Sequence, residues 1–182
     1  MSGHSLPPKS LWLLRHGQAE LATSSSGDHE RRLSPRGRRD ATAVGACLRQ
    51  SGALPVLVLC SGAVRTVETL ELLALGDRAE VMVEEALYGA STSELIDRLR
   101  GVSETVSSVL VIGHNPTIGE LAQMLSGEAG NVVRRYPTAA LSELECRIVT
   151  WGALGPGSAT LRRFLVPDQQ HGGRLVVTLP PG

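Results

Sequence analysis

What most constrains this chain is its alternation of short, unbroken apolar runs with amphipathic helical stretches. Leu11–Leu14, Val56–Leu59, Val81–Val83 and Val109–Ile112 are too short and too uniformly apolar for surface helices, and read as buried strands. Helix signals lie between them. Ser34-Pro35 supplies an N-cap and a proline at the first helical position. Ala41, Val44, Gly45 and Leu48 then share one face, and Gly52 is the expected stop. Ser91 and Glu94 have the spacing of a capping box for a helix through Leu95, Ile96 and Leu99. Asn115-Pro116 is expected to cap a helix through Leu121, Met124 and Leu125 that Gly127 ends. Ala139–Cys146 and Thr160–Val166 alternate less cleanly and read as two further strands, antiparallel or at the edge. The pattern predicts an α/β fold, a three-layer α/β/α sandwich with a mostly parallel central sheet.

At 182 residues the chain suits one domain. Residues 11–166 are expected to form it, with 1–10 as an N-terminal tail. Residues 167–182 read as a C-terminal tail or, through Arg174–Leu179, an edge strand. The 18 Lys and Arg balance 18 Asp and Glu, so the chain lacks the cationic excess of a nucleic-acid or anionic-membrane binder. Aromatics are 3%, too few for base-stacking platforms. No apolar stretch approaches the roughly 20 residues of a membrane span. The first ten residues lack the apolar core of a signal peptide, and a cytoplasmic location is the expectation. Cys47, Cys60 and Cys146 are odd in number and widely spaced, which suits neither a disulfide framework nor a zinc site. Neither metal nor cofactor is expected. The five arginines between Arg31 and Arg39 read as a solvated helix face.

Two strands run directly into a histidine. Leu11–Leu14 leads into Arg15-His16-Gly17, and Val109–Ile112 leads into Gly113-His114-Asn115-Pro116. A third, Val56–Leu59, leads through Cys60-Ser61-Gly62-Ala63-Val64 to Arg65 at the start of a helix. Parallel α/β sheets bind ligands outside the carboxyl ends of their strands, so two histidines and two arginines are expected to converge there. Guanidinium groups match tetrahedral phosphate oxygens and stay charged. Imidazole can attack phosphorus when neutral, or donate to a phosphate oxygen when protonated. Two guanidinium groups beside the histidines would repel a divalent cation. The chemistry this suggests is metal-independent phosphoryl transfer through a phosphohistidine.

The stretches LWLLRHGQAE (11–20), RRLSPRGRRDA (31–41), LCSGAVRTVETL (59–70), EALYGAS (85–91) and VLVIGHNPTIGELAQML (109–125) resemble the histidine phosphatase superfamily, the phosphoglycerate-mutase-like fold. They look closest to its short SixA-type branch, which removes phosphate from protein phosphohistidine. The resemblance implies that His16 is the nucleophile and that Arg15, Arg65 and His114 bind the phosphoryl oxygens. Gly17 would permit a sharp turn, and Gln18 would lie near the substrate. The expected partner is therefore a phosphorylated substrate, with neither nucleic acid nor membrane involved.

Two features depart from the family pattern. Many relatives carry a glutamate general acid after the third strand, whereas here Gly89 stands near that place, with Glu84, Glu85 and Glu20 as candidates. A protonated imidazole departs without such an acid, while an alkoxide needs one, which favours phosphoramidates over alkyl esters. In SGAVR, Gly62 is expected to loosen the turn while Ser61 still caps the helix. The alternatives are a broad small-molecule phosphomonoesterase and a phosphate-binding module without turnover.

Overall fold

The structure is a computed structural model that describes residues 8–22, 27–127, 135–168, 170 and 173–178. Seven strands form a single mixed sheet in the order β3-β2-β4-β1-β5-β6-β7. They are β1 (Lys9–Arg15), β2 (Leu57–Ser61), β3 (Glu80–Glu84), β4 (Ser108–Gly113), β5 (Leu141–Cys146), β6 (Ala159–Pro167) and β7 (Leu175–Thr178). Helices α1 (Pro35–Ser51), α2 (Val64–Leu73), α3 (Thr92–Arg100) and α4 (Thr117–Ser126) cover it. β3, β2, β4 and β1 are mutually parallel, and β5, β6 and β7 continue the sheet with antiparallel pairings. The three-layer α/β expectation holds, and the two later strands are antiparallel as anticipated. Of the expected C-terminal tail, Pro167 ends β6 and Leu175–Thr178 form the edge strand β7, while residues 179–182 lie outside the described residues. Of the expected N-terminal tail, residues 1–7 lie outside the described residues, and Lys9 and Ser10 belong to β1.

Alternation along β1 builds two cores. Leu11 and Leu13 face one side with Val109, Val111, Leu57 and Leu59, packed under α3 and α4. Trp12 and Leu14 face the other with Leu110, Ile112, Val58 and Cys60, packed against Val44, Leu48 and Leu73 of α1 and α2. Burial on both faces is why these strands read as unbroken apolar runs. The caps of α1 form as the sequence indicates. Ser34 Oγ accepts from the Gly37 N–H, and Gly52 closes the helix at φ 72°. The Ser91–Glu94 capping box of α3 is complete.

Three local expectations are corrected. Val81–Val83 is not buried: Val81, Met82 and Val83 are 47%, 39% and 51% exposed. The strand order leaves β3 at the sheet edge, paired with β2 alone. Asn115 does not cap α4. Pro116 occupies that position without a side-chain cap, and Asn115 Nδ2 donates to the Tyr136 carbonyl instead. Ser61 does not cap α2 either. Ala63 is the N-cap, and the Ser61 hydroxyl turns to His114.

Candidate active site

Strand register sets the site. In the β1–β4 ladder Arg15 pairs with Gly113, so His16 and His114 each stand one residue beyond a matched pair. Their ring centroids are 5.1 Å apart. β2 lies on the other side of β4, and its end turns into α2, whose first turn carries Arg65. Arg15, His16, Gln18, Arg65 and His114 line one cavity of about 420 Å³, together with Asp28, Arg31 and Tyr88. The convergence expected from the strand ends is therefore present.

Hydrogen-bond partners fix the protonation of both rings. His16 Nδ1 is 2.7 Å from the Gly17 carbonyl, an acceptor, so Nδ1 carries the proton and donates. Nε2 is then a bare lone pair, which accepts from Arg65 Nε at 3.3 Å. His114 Nδ1 lies 3.4 Å from Arg65 Nη2 and must accept, since guanidinium only donates. Its Nε2 donates to Ser61 Oγ at 2.8 Å. Burial pushes the His16 imidazole down to about 3, with His114, Arg65 and Arg15 adding to the effect and the Gly17 bond opposing it. Burial and then Arg65 push His114 down to about 4. Both rings are neutral near pH 7. Burial, followed by the charge of Arg65, also lowers Arg15 from its ordinary value.

Gly17 is glycine for a reason other than the expected sharp turn. Its φ is not among the positive values, but a Cβ there would stand 2.7 Å from the Gly37 carbonyl oxygen. The turn after His16 thus packs directly on the first turn of α1, and the Gly17 N–H donates to Thr69 Oγ1 of α2. Gly62 is also explained differently. Its absent side chain makes room for the Glu85 carboxylate, which a Cβ would strike.

None of the three candidate acids lines the cavity. Glu84 is paired with Arg98 at 2.6 Å. Glu85 holds His29 Nε2 at 3.0 Å. Glu20 is exposed. Four of the five arginines in the run are in ion pairs, Arg31 with Asp28, Arg32 and Arg38 with Glu68, and Arg36 with Asp40. Cys60 is fully buried, and burial pushes its thiol up to about 12, which suits packing rather than nucleophilic attack.

Asp28, Tyr88 and Ser61 were missed as site residues. Asp28 Oδ2 accepts from Arg65 Nη2 at 2.9 Å and from the Tyr88 hydroxyl at 2.7 Å, while Oδ1 accepts from Arg31. Tyr88 also stacks edge-on against His114 at 5.4 Å. Tyr88 lies inside a family-like stretch and was findable there. Asp28 falls between such stretches, where no periodicity marks it. Among the described residues, no group of three or more His, Cys, Asp or Glu side chains is arranged to hold a metal ion.

The sequence profile of the histidine phosphatase superfamily (branch 1) matches residues 11–94. An uncharacterized protein of Mycobacterium tuberculosis is 35% identical over 162 residues, spanning 85% of this chain and 99% of that one. A phosphohistidine phosphatase SixA homolog of Haemophilus influenzae is 32% identical, over 74% of this chain and 86% of that one. This chain belongs to the histidine phosphatase superfamily. The structure assigned as SixA from Nakamurella multipartitia superposes with a TM-score of 0.81 at 30% identity, covering 89% of this chain and 98% of that one. A SixA protein histidine phosphatase complexed with tungstate gives 0.69 at 25% identity, covering 85% and 95%. The chain is a hydrolytic phosphatase of SixA-like architecture. No helix among the described residues is long and apolar enough to cross a membrane.

Proposed function

We propose that this phosphatase removes the phosphoryl group from phosphohistidine, without a metal, through a phosphoryl-His16 intermediate. One observation carries the reading. His16 is held as the neutral tautomer with its Nε2 lone pair toward the guanidinium of Arg65. Such a nitrogen can attack phosphorus with no base to activate it. In this reading Arg15, Arg65 and, once protonated, His114 hold the three non-bridging oxygens and stabilise the charge of the transition state. Arg15 Nε is buried and has no hydrogen-bond partner among the described residues, and an anion oxygen would supply one. Tungstate, a tetrahedral oxyanion bound by the SixA relative, is consistent with an anion in this cavity.

In the first step the N–P bond to His16 Nε2 forms as the bond to the leaving group breaks. In the second, water attacks phosphorus and the bonding pair returns to His16, with the water proton leaving on phosphate. Since Glu84 and Glu85 are paired elsewhere, substrates whose leaving group needs no proton from the enzyme fit best. The test measures phosphate release from a phosphohistidine peptide and from a sugar phosphate, side by side, in EDTA. The peptide should have the higher kcat/KM, with both rates abolished in His16→Ala. A sugar phosphate turned over as well as the peptide would rule the reading out.

A further inference from the structure

Among the described residues, Asp28 is the only carboxylate lining the cavity, and the proposed reaction gives it no role. Its side chain is 53% exposed beside the nearly buried Arg65, so its charge reaches the cavity as well as the guanidinium. Oδ2 is held by Tyr88 and Arg65, and Oδ1 by Arg31. The Tyr88 hydroxyl first, then Arg31 and Arg65, keep this carboxyl well below the usual carboxylate range. It therefore stays ionised and cannot protonate a leaving group. A fixed anion at the wall of a phosphate site weakens phosphate binding by repulsion, a cost that needs an offsetting gain.

We propose that Asp28 selects the charge of the leaving group, favouring phosphoryl groups carried on a cationic nitrogen ring and disfavouring leaving groups that depart as anions, such as acyl phosphates and aryl phosphates. The proposal rests on the reading of this cavity as a phosphoryl site. A phosphoryl-imidazolium already holds a proton on its remote nitrogen. His16 Nε2 forms its bond to phosphorus, the P–N bond breaks, and the bonding pair returns to the ring. The ring leaves neutral, its proton still in place, and Asp28 neither gives nor takes one. Before cleavage the ring is positive and is attracted to the carboxylate. An acyl or aryl oxygen gains negative charge in the same step and is repelled. Arg31, Arg65 and Tyr88 face Asp28, and they hold it in place without removing its charge.

The test uses two non-hydrolysable probes of similar shape, 3-methylimidazolium-1-methylphosphonate, with a permanent ring charge, and benzylphosphonate, whose ring is neutral. Calorimetric titration at fixed pH and low salt should show about a tenfold preference for the charged ring in the native protein, an attraction reduced by partial solvent exposure. In Asp28→Asn the preference should fall to within about twofold, through weaker binding of the charged probe and tighter binding of the neutral one. Asp28→Glu should keep the preference, and melting curves establish that both variants are folded. Equal affinities in the native protein would overturn the proposal. So would an equal loss of both probes in Asp28→Asn, which would mean that Asp28 only positions Arg65. Neither probe requires turnover. Failure to hydrolyse phosphohistidine would thus count against the proposed function while the ring preference is judged separately, and binding of neither probe would defeat both.

Discussion

His114 enters the site as a neutral ring whose Nδ1 accepts from Arg65, and in that state it cannot donate to a phosphate oxygen. An anion in the cavity favours the imidazolium, so binding should draw a proton onto the ring. Sulfate makes a clean probe because it does not titrate near neutrality. Its affinity should rise as pH falls from 8 toward 5, approaching tenfold per pH unit where uptake nears one proton, and His114→Gln should flatten the dependence. A sulfate affinity independent of pH would show that His114 never becomes a donor. His16 bears on stability. Its folded value near 3 lies below the ordinary 6.5, so the unfolded chain binds the proton more readily. The stabilisation is present above pH 6.5 and is lost as pH falls toward 3. Between pH 7.5 and 5.5, urea unfolding should show the native protein losing about 1 kcal/mol more than His16→Asn. No difference between the two would show that His16 is solvated in the folded state.

Glycines set the spacing between elements. A Cβ on Gly45 would strike the Leu73 backbone, so α1 and α2 touch through their main chains. Gly45→Ala must separate them, at a cost of about 1–3 kcal/mol that a melting curve reads as a lowered Tm. The three atoms nearest a Cβ on Gly62 all belong to the flexible Glu85 carboxylate. Gly62→Ala should cost less than about 1 kcal/mol while displacing Glu85 from His29, which the chemical shifts of the His29 ring would report. A Gly62→Ala melt as low as that of Gly45→Ala would contradict this contrast. The elements themselves were legible because local chemistry decides them. Ser34, Pro35 and Gly52 bracket α1, and Ser91 with Glu94 starts α3. β3 was legible as a strand but not as an exposed one, because its apolar run matches those of the central strands. Only the strand order, a long-range property, puts it at the edge. Ser61 and Asn115 failed as caps for a related reason. Each had a distant partner, His114 and Tyr136, that sequence spacing does not reveal.

Across the whole molecule, the site follows from topology. Parallel β1, β2 and β4 end on one edge of the sheet, so residues just past their ends converge although up to about a hundred positions separate them in the chain. His16, Arg15, Arg65 and His114 were readable for that reason. Asp28 and Tyr88 reach the cavity from connections, and a loop's path is not encoded in periodicity. Among the described residues, the resulting cavity holds two neutral histidines, three guanidinium groups bound to neighbouring backbone or side chains, and one carboxylate that cannot give a proton. In the proposed reaction these groups serve covalent catalysis by His16. Rapid-quench mass spectrometry of the enzyme mixed with a phosphohistidine peptide in EDTA reads that step itself. A transient, acid-labile phosphoryl group is expected, which tandem fragmentation locates on His16 and which forms no more slowly than the peptide is consumed. Peptide consumed at full rate with no phosphoryl group on His16 would contradict it.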